Sequence, residues 1–219
     1  MAGLFETIRV REGRIPFVAE HLARLGAGLW RLGLAAAPPG LELRLRQLAA
    51  QGEVVARVTI DAAGEVIVTR PVPEADAVLL SRVSVKHPGY PIKSVERDPF
   101  DRAKAQAAAA GADEALLLTP DGYLAEGSFT SLFFWSDDLL CTPGLGLGIL
   151  PGIGRARVIS LAMKAGIPVA EGRFAPAALG DGAPFLVNAV RGILRVASLD
   201  GAAVRGDPRS GELAAQFWG

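Results

Sequence analysis

An α/β (α+β) fold follows from three features of the sequence. Leu4–Arg11 alternates apolar and polar side chains, the period of a half-buried strand. Leu22, Leu25, Leu29 and Leu32 recur at spacings of three, four and three, the apolar stripe of an amphipathic helix. Four short strand-like runs, Glu114–Leu118, Tyr123–Ala125, Ser131–Trp135 and Asp138–Cys141, lie between two helical patterns. Strands interspersed with helices are the material of layered α/β architectures.

Taken in order, Glu12-Gly13 is a turn after the first strand, and a helix is expected from Pro16, with proline near its start. His21, Arg24, Gly28 and Arg31 form a stripe beside the leucines that reads locally as a solvated flank. Ala35–Gly40 is a loop and Leu41–Gln51 a second helix. Val54–Ile60 and Glu65–Arg70 flank Ala62-Ala63-Gly64 as a hairpin. Pro71–Ala77 reads as a linker, dividing the chain into Met1–Pro73 and Glu74–Gly219. Val78–Lys86 is strand-like. Asp98-Pro99 starts a helix, with Asp98 as N-cap, Phe100, Ala103, Ala107 and Ala110 on one face and Gly111 at the end. Gly152–Ala165 is a further helix, and Phe185–Val187 and Val196–Leu199 are closing strands.

Composition narrows the function classes. The 219 residues are half apolar and 21% charged, which excludes a disordered chain. Net charge is zero, so neither nucleic acid nor an anionic membrane is the expected partner. One cysteine, Cys141, excludes an internal disulfide, and two distant histidines, His21 and His87, speak against a metal centre. The N-terminal residues do not read as a signal peptide, and the longest uncharged run, Leu139–Gly154, is interrupted by Gly and Pro. A soluble cytoplasmic protein acting on a small molecule is expected. Only four lysines are present, Lys86, Lys93, Lys104 and Lys164, so any lysine chemistry comes from that set.

Three places carry chemical promise, each with a plainer alternative. Gly144–Arg155 is a glycine-containing stretch that matches neither a Walker loop nor Gly-x-Gly-x-x-Gly. It runs into a helix start, where the N–H groups near Ile153 and Gly154 lack intrahelical partners and would suit a phosphate; otherwise it is a connector. Lys93 follows Pro91-Ile92 and reads as a nucleophile if desolvated, or as a surface lysine. Glu126, in Leu124-Ala125-Glu126-Gly127-Ser128, reads as a strand-end carboxylate needing a cationic partner, or as an exposed turn residue.

Their order along the chain decides between these readings. Phe5-Glu6-Thr7-Ile8-Arg9, Glu20-His21-Leu22-Ala23-Arg24-Leu25, Lys93, Asp113–Leu118, Glu126-Gly127-Ser128, Leu150-Pro151-Gly152-Ile153-Gly154-Arg155 and Asn188-Ala189-Val190-Arg191-Gly192 succeed one another. This succession resembles the class IV aminotransferases, the fold-type IV enzymes that use pyridoxal 5′-phosphate (PLP), over nearly the whole chain. The resemblance implies two domains with PLP between them and a trimmed N-terminal domain, because the chain begins almost at Phe5-Glu6-Thr7. It also implies a homodimer.

The resemblance assigns roles residue by residue. Lys93 would carry PLP covalently and Glu126 would pair with the protonated pyridine nitrogen. Arg24 and the Ile153 and Gly154 amides would hold the phosphate, with Asn188 and Ala189 also against the cofactor. Gly154 stands where the family has Thr, and Ser131 where it has Asn five residues after the glutamate. Among subgroups, Thr7, the Asn188-Ala189 segment and Lys93-x-x-x-Arg97 resemble 4-amino-4-deoxychorismate lyases, although Glu96 replaces their Asn. Thr7 would then assist the elimination. Arg9, Arg57, Arg97 and Arg191 are candidates for the substrate carboxylates, since an arginine fork matches a carboxylate. The rival expectations are an aminotransferase for branched-chain or D-amino acids and a non-catalytic ligand-binding homologue.

Overall fold

The alternating run at the N-terminus becomes β1 (Gly3–Val10), the first strand of an antiparallel sheet ordered β1-β2-β3, with β2 (Val54–Asp61) and β3 (Gly64–Arg70) as the expected hairpin. Leu4, Ile8 and Val10 of β1 meet Leu25 and Leu29 of α1 (Val18–Arg31) and Leu41 and Leu45 of α2 (Leu41–Leu48). Burying each such side chain contributes roughly 1.5–3 kcal/mol. The neighbouring stripe of α1 is not a solvated flank: His21 and Gly28 are buried, Arg24 is half-buried, and only Arg31 is exposed. Gly28 shows the reason, because a Cβ there would stand 2.6 Å from Leu4 Cδ1; the helix lies close on β1.

The computed structural model describes residues 3–74, 77–180 and 182–219. They pack as two units. The first comprises Met1–Glu74 with two short returns, Ile92–Glu96 and Ala189–Arg191; the second comprises Ala75–Pro91, Arg97–Asn188 and Gly192–Gly219. Two residues of the expected linker, Ala75 and Asp76, lie outside the described residues. The first return runs along β1: Phe5 N–H donates to Lys93 O at 3.0 Å and Val95 N–H to Gly3 O at 3.0 Å.

The second unit is built on a sheet ordered β6-β5-β4-β11-β10-β7-β8-β9, with β12 beside β11. Its strands are β4 (Ala77–Lys86), β5 (Glu114–Leu118), β6 (Leu124–Gly127), β7 (Ser131–Ser136), β8 (Leu139–Pro143), β9 (Val169–Gly172), β10 (Phe185–Asn188), β11 (Gly192–Leu199) and β12 (Ala202–Ala203). The β4–β5, β4–β11 and β8–β9 pairs are parallel and the others antiparallel. Leu80, Leu116, Leu132, Phe134, Leu186 and Leu194 form its main core. Phe100, Ala103 and Ala107 of α3 (Asp98–Ala109) pack with Tyr90, Ala115 and Leu117, whereas Ala110 is exposed. Asp98 lies inside α3 rather than capping it; Arg97 holds the cap position and no side chain caps the helix. α4 (Ile153–Lys164) follows Gly152 as expected, while β9, β12 and α5 (Pro208–Ala215) have no counterpart in the sequence reading.

Candidate functional site

In the first unit, Glu6 extends from β1 toward α1, with Leu4, Ile8 and Val10 on the same side of the strand. It is 1% exposed and accepts from Arg24 Nε at 2.8 Å, Arg24 Nη2 at 2.7 Å and His21 Nδ1 at 2.7 Å. Helical spacing of three explains why His21 and Arg24 converge on one carboxylate. Burial pushes the Glu6 carboxyl up, but hydrogen bonds from Arg24 and His21 outweigh it and hold the pKa at about 2. Burial lowers the His21 pKa against the opposing effect of Glu6. A carboxylate neighbour requires Nδ1 to donate, so the buried Nε2, which has no hydrogen-bond partner among the described residues, carries a lone pair.

The other side of β1 carries Phe5, Thr7 and Arg9. Thr7 stands opposite Arg57 in the β1–β2 register. The Arg57 guanidinium lies 3.7 Å from the Phe5 ring centre, and Lys93 Nζ 4.5 Å from it. Thus the antiparallel return that pairs Lys93 with Phe5 delivers the lysine to the sheet face bearing Thr7 and Arg57. Arg9 has a structural commitment: Nη1 donates to Val190 O at 3.1 Å and Nη2 to Glu53 at 2.5 Å. It thereby ties the return at Ala189–Arg191 to β1. Arg191 is half-buried within that return.

In the second unit, Glu126 lies within β6 and is 5% exposed, not in an exposed turn. Its Oε1 accepts from His87 Nε2 at 2.8 Å and from Leu150 N–H at 3.1 Å. Both bonds fall on one oxygen, Oε1. Glu114, buried at the head of β5, accepts from Ala115 N–H, Ser128 N–H and Oγ, Phe129 N–H and Thr130 Oγ1. Burial raises its pKa and these hydrogen bonds lower it, with a net upward shift. Four of these donors, those of Ser128, Phe129 and Thr130, fasten the 127–130 turn directly after Glu126. Arg97 Nη2 donates to Ser128 O in the same turn, and its guanidinium lies 4.9 Å from the Phe100 ring centre.

α4 begins at Gly152 with no side-chain cap. Ile153 and Gly154 are buried at its start, and their N–H groups have no intrahelical acceptor and face the positive end of the helix dipole. Gly154 is held close to β10: a Cβ would meet Asn188 C at 2.9 Å and Val187 Cγ2 at 3.0 Å. Asn188 therefore packs its backbone against the helix start, and Ala189 follows it in the return that belongs to the first unit. Sequence reasoning missed His87, Glu6 and Glu114. A histidine and a glutamate thirty-nine residues apart leave no local pattern, whereas an isolated glutamate opening the apolar run Glu114–Leu118 is a visible oddity.

The profile of the amino-transferase class IV family matches residues 3–199. The chain belongs to the class IV aminotransferase family. This is a family of PLP-dependent enzymes, and the α/β fold is the fold-type IV one. A Legionella pneumophila structure, provisionally named a 4-amino-4-deoxychorismate lyase, is 29% identical, with a TM-score of 0.87 over 98% of this chain and 91% of that one. A Thermotoga maritima structure, provisionally named a branched-chain amino acid aminotransferase, is 25% identical, with a TM-score of 0.90 over 99% and 84%. A branched-chain-amino-acid aminotransferase of Pseudomonas aeruginosa is 40% identical over 68 residues, 31% of this chain and 22% of that protein. The curated relatives that the chain matches are covered over only about a quarter of their length.

The class IV residues present here suit PLP. The second unit has a buried carboxylate with both hydrogen bonds on one oxygen and a helix start with no side-chain cap, and the first unit has a lysine held against Phe5 on the sheet face; these are the kinds of group that a ring N–H, a phosphate and an aldehyde call for. Among the described residues, no group of three or more His, Cys, Asp or Glu is placed to hold a metal, and no helix is long and apolar enough to cross a membrane.

Proposed function

We propose that this class IV enzyme is a 4-amino-4-deoxychorismate lyase, acting as a homodimer on a small amino substrate in the cytoplasm. The observation that carries the reading is the sheet face on which Thr7 stands opposite Arg57, with Lys93 and Arg57 both against Phe5. A hydroxyl, a carboxylate-binding fork and an amine are the groups an elimination from a dicarboxylate requires.

In this reading Lys93 would bond PLP, Glu126 would pair with the ring nitrogen, and Arg24 with the Ile153 and Gly154 N–H groups would take the phosphate. Glu6, itself bonded by His21, would orient Arg24 for that task through Nε and Nη2. Asn188 and Ala189 would also line the cofactor. Bound PLP supplies the sink for the electron pair released at the amine-bearing carbon. Freed when the substrate amine takes its place, Lys93 Nζ would accept the proton from that carbon and return one to the three-carbon side chain as the ether C–O bond breaks. The ring becomes 4-aminobenzoate, and the three-carbon side chain leaves as pyruvate, so no oxidant or water is consumed. Thr7 Oγ1 donates toward the departing oxygen. Of the four arginine candidates, Arg57 is the one assigned to a substrate carboxylate, because it shares the sheet face of Thr7 and Lys93.

Thr7→Gly tests the reading. A hydrogen bond made only in the transition state lowers kcat and kcat/KM together. Its loss is expected to slow 4-aminobenzoate formation about ten- to a hundredfold, or roughly 1.5–3 kcal/mol, while amino transfer from branched-chain or D-amino acids to 2-oxoglutarate is spared. Equal slowing of both reactions would assign Thr7 to packing. Efficient amino transfer by the wild type without aminobenzoate would favour the aminotransferase reading.

A further inference from the structure

We infer that His87 is a positioning residue that holds Glu126 by one oxygen and, through it, keeps the proton on the cofactor's ring nitrogen. The inference rests on the proposed pairing of Glu126 with that nitrogen.

The imidazole is fixed on both sides. His87 is 1% exposed and follows β4; its backbone N–H donates to Leu118 O of β5 at 2.8 Å. Gly89 N–H donates to Nδ1 at 3.2 Å. An amide can only donate, so Nδ1 presents its lone pair and the ring proton sits on Nε2. That N–H then donates to Glu126 Oε1 at 2.8 Å. Gly89 makes this possible with φ +79°, a left-handed backbone that side chains rarely adopt. Phe100 meets the imidazole edge-on at 5.4 Å and itself packs on Tyr90 at 4.8 Å, an apolar wall around the ring. Leu150 N–H adds a second fixed donor to the same oxygen. The carboxylate can therefore turn neither of its oxygens away from its assigned direction without breaking a buried hydrogen bond.

The two histidines of the chain should consequently be opposite tautomers, His21 protonated at Nδ1 and His87 at Nε2. Imidazole ¹⁵N NMR of the cofactor-free protein reads this directly; a His87 protonated at Nδ1 would overturn the inference. Three variants then separate the links. In PLP-loaded His87→Leu, the visible absorption of the cofactor should shift and kcat fall about tenfold at constant KM, the loss of about one hydrogen bond. His87→Gln, which keeps a side-chain N–H, should recover most of both. In a Glu126→Gln background, His87→Leu should add nothing, because the two act as one unit. Wild-type absorption in Glu126→Gln would remove the assumed Glu126 pairing. A changed spectrum in Glu126→Gln but an unchanged one in His87→Leu would remove the role of His87 alone. Should His87→Leu fail to fold, the tautomer and the His87→Gln spectrum still decide; a Gln variant with the spectrum of Glu126→Gln counts against the inference.

Discussion

At Glu6, a carboxylate, a guanidinium and a neutral imidazole share one buried site, and the pH response follows from it. Its folded pKa of about 2 lies below the ordinary carboxylate value of 4.5. Its contribution to stability is thus complete above pH 4.5 and is lost as pH falls toward 2. The difference corresponds to about 3 kcal/mol. His21, whose pKa is lowered by burial, works in the same direction: protonating it favours the unfolded chain below its ordinary value of 6.5. Glu6→Gln should therefore be less stable than wild type at pH 7 by about 3 kcal/mol, and urea unfolding should show the gap closing as pH falls from 4.5 toward 2. A gap independent of pH would contradict the assignment. For Arg24, loss of charge-assisted hydrogen bonds worth ~1.5–3 kcal/mol predicts PLP binding weaker by one to two decades in Arg24→Ala; unchanged affinity in an absorbance titration would remove it from the phosphate. Lys93, Glu126 and Arg24 stand out in the sequence because the family motifs place them by order alone, and their proposed roles follow from that order. His87 and Glu114 were not, since what defines them is a partner across a sheet.

Elements whose ends are marked by side-chain chemistry were legible when that chemistry was local. The same Asp-Pro dipeptide occurs at 98 and 207. Only Asp207 caps, accepting from Arg209 N–H at 2.9 Å at the start of α5, while Asp98 already lies within α3. Asp207→Ala should cost about 0.5–2 kcal/mol in thermal unfolding, and Asp98→Ala should stay within about 0.5 kcal/mol; equal losses would erase the distinction. β9 escaped notice because its four residues are short and only partly buried, with no alternation to read. At α4, Gly154 is set by its neighbour: the backbone of Asn188 leaves no room for a Cβ. Gly154→Ala should destabilise the protein by about 1–3 kcal/mol, even though alanine favours a helix. A neutral or stabilising effect would show that β10 yields to the helix.

Across the whole molecule, the fold class was legible because periodicity is a local signal repeated in every element. The two returns of the first unit, Ile92–Glu96 and Ala189–Arg191, were not, because a single cut after Pro73 follows composition along the chain and cannot register a segment that comes back to an earlier strand. One return brings Lys93 to Phe5, so the feature hidden from sequence is the one that creates the face to which the proposed chemistry is assigned. On β3, Val66 and Val68 are each 58% exposed, unusual for a strand and suited to the proposed homodimer. Sedimentation should give twice the 22.8 kDa chain mass, and the paired changes Val66→Glu and Val68→Glu should shift it to monomer; a wild-type monomer would contradict the dimer. The central claim, a lyase run by Lys93, meets its most direct test in the products. PLP-loaded wild type given 4-amino-4-deoxychorismate should release 4-aminobenzoate and pyruvate in equal amounts without an added keto acid, and Lys93→Ala should release neither. A wild type that forms no aminobenzoate, or a Lys93→Ala protein that forms it at the wild-type rate, would contradict the account.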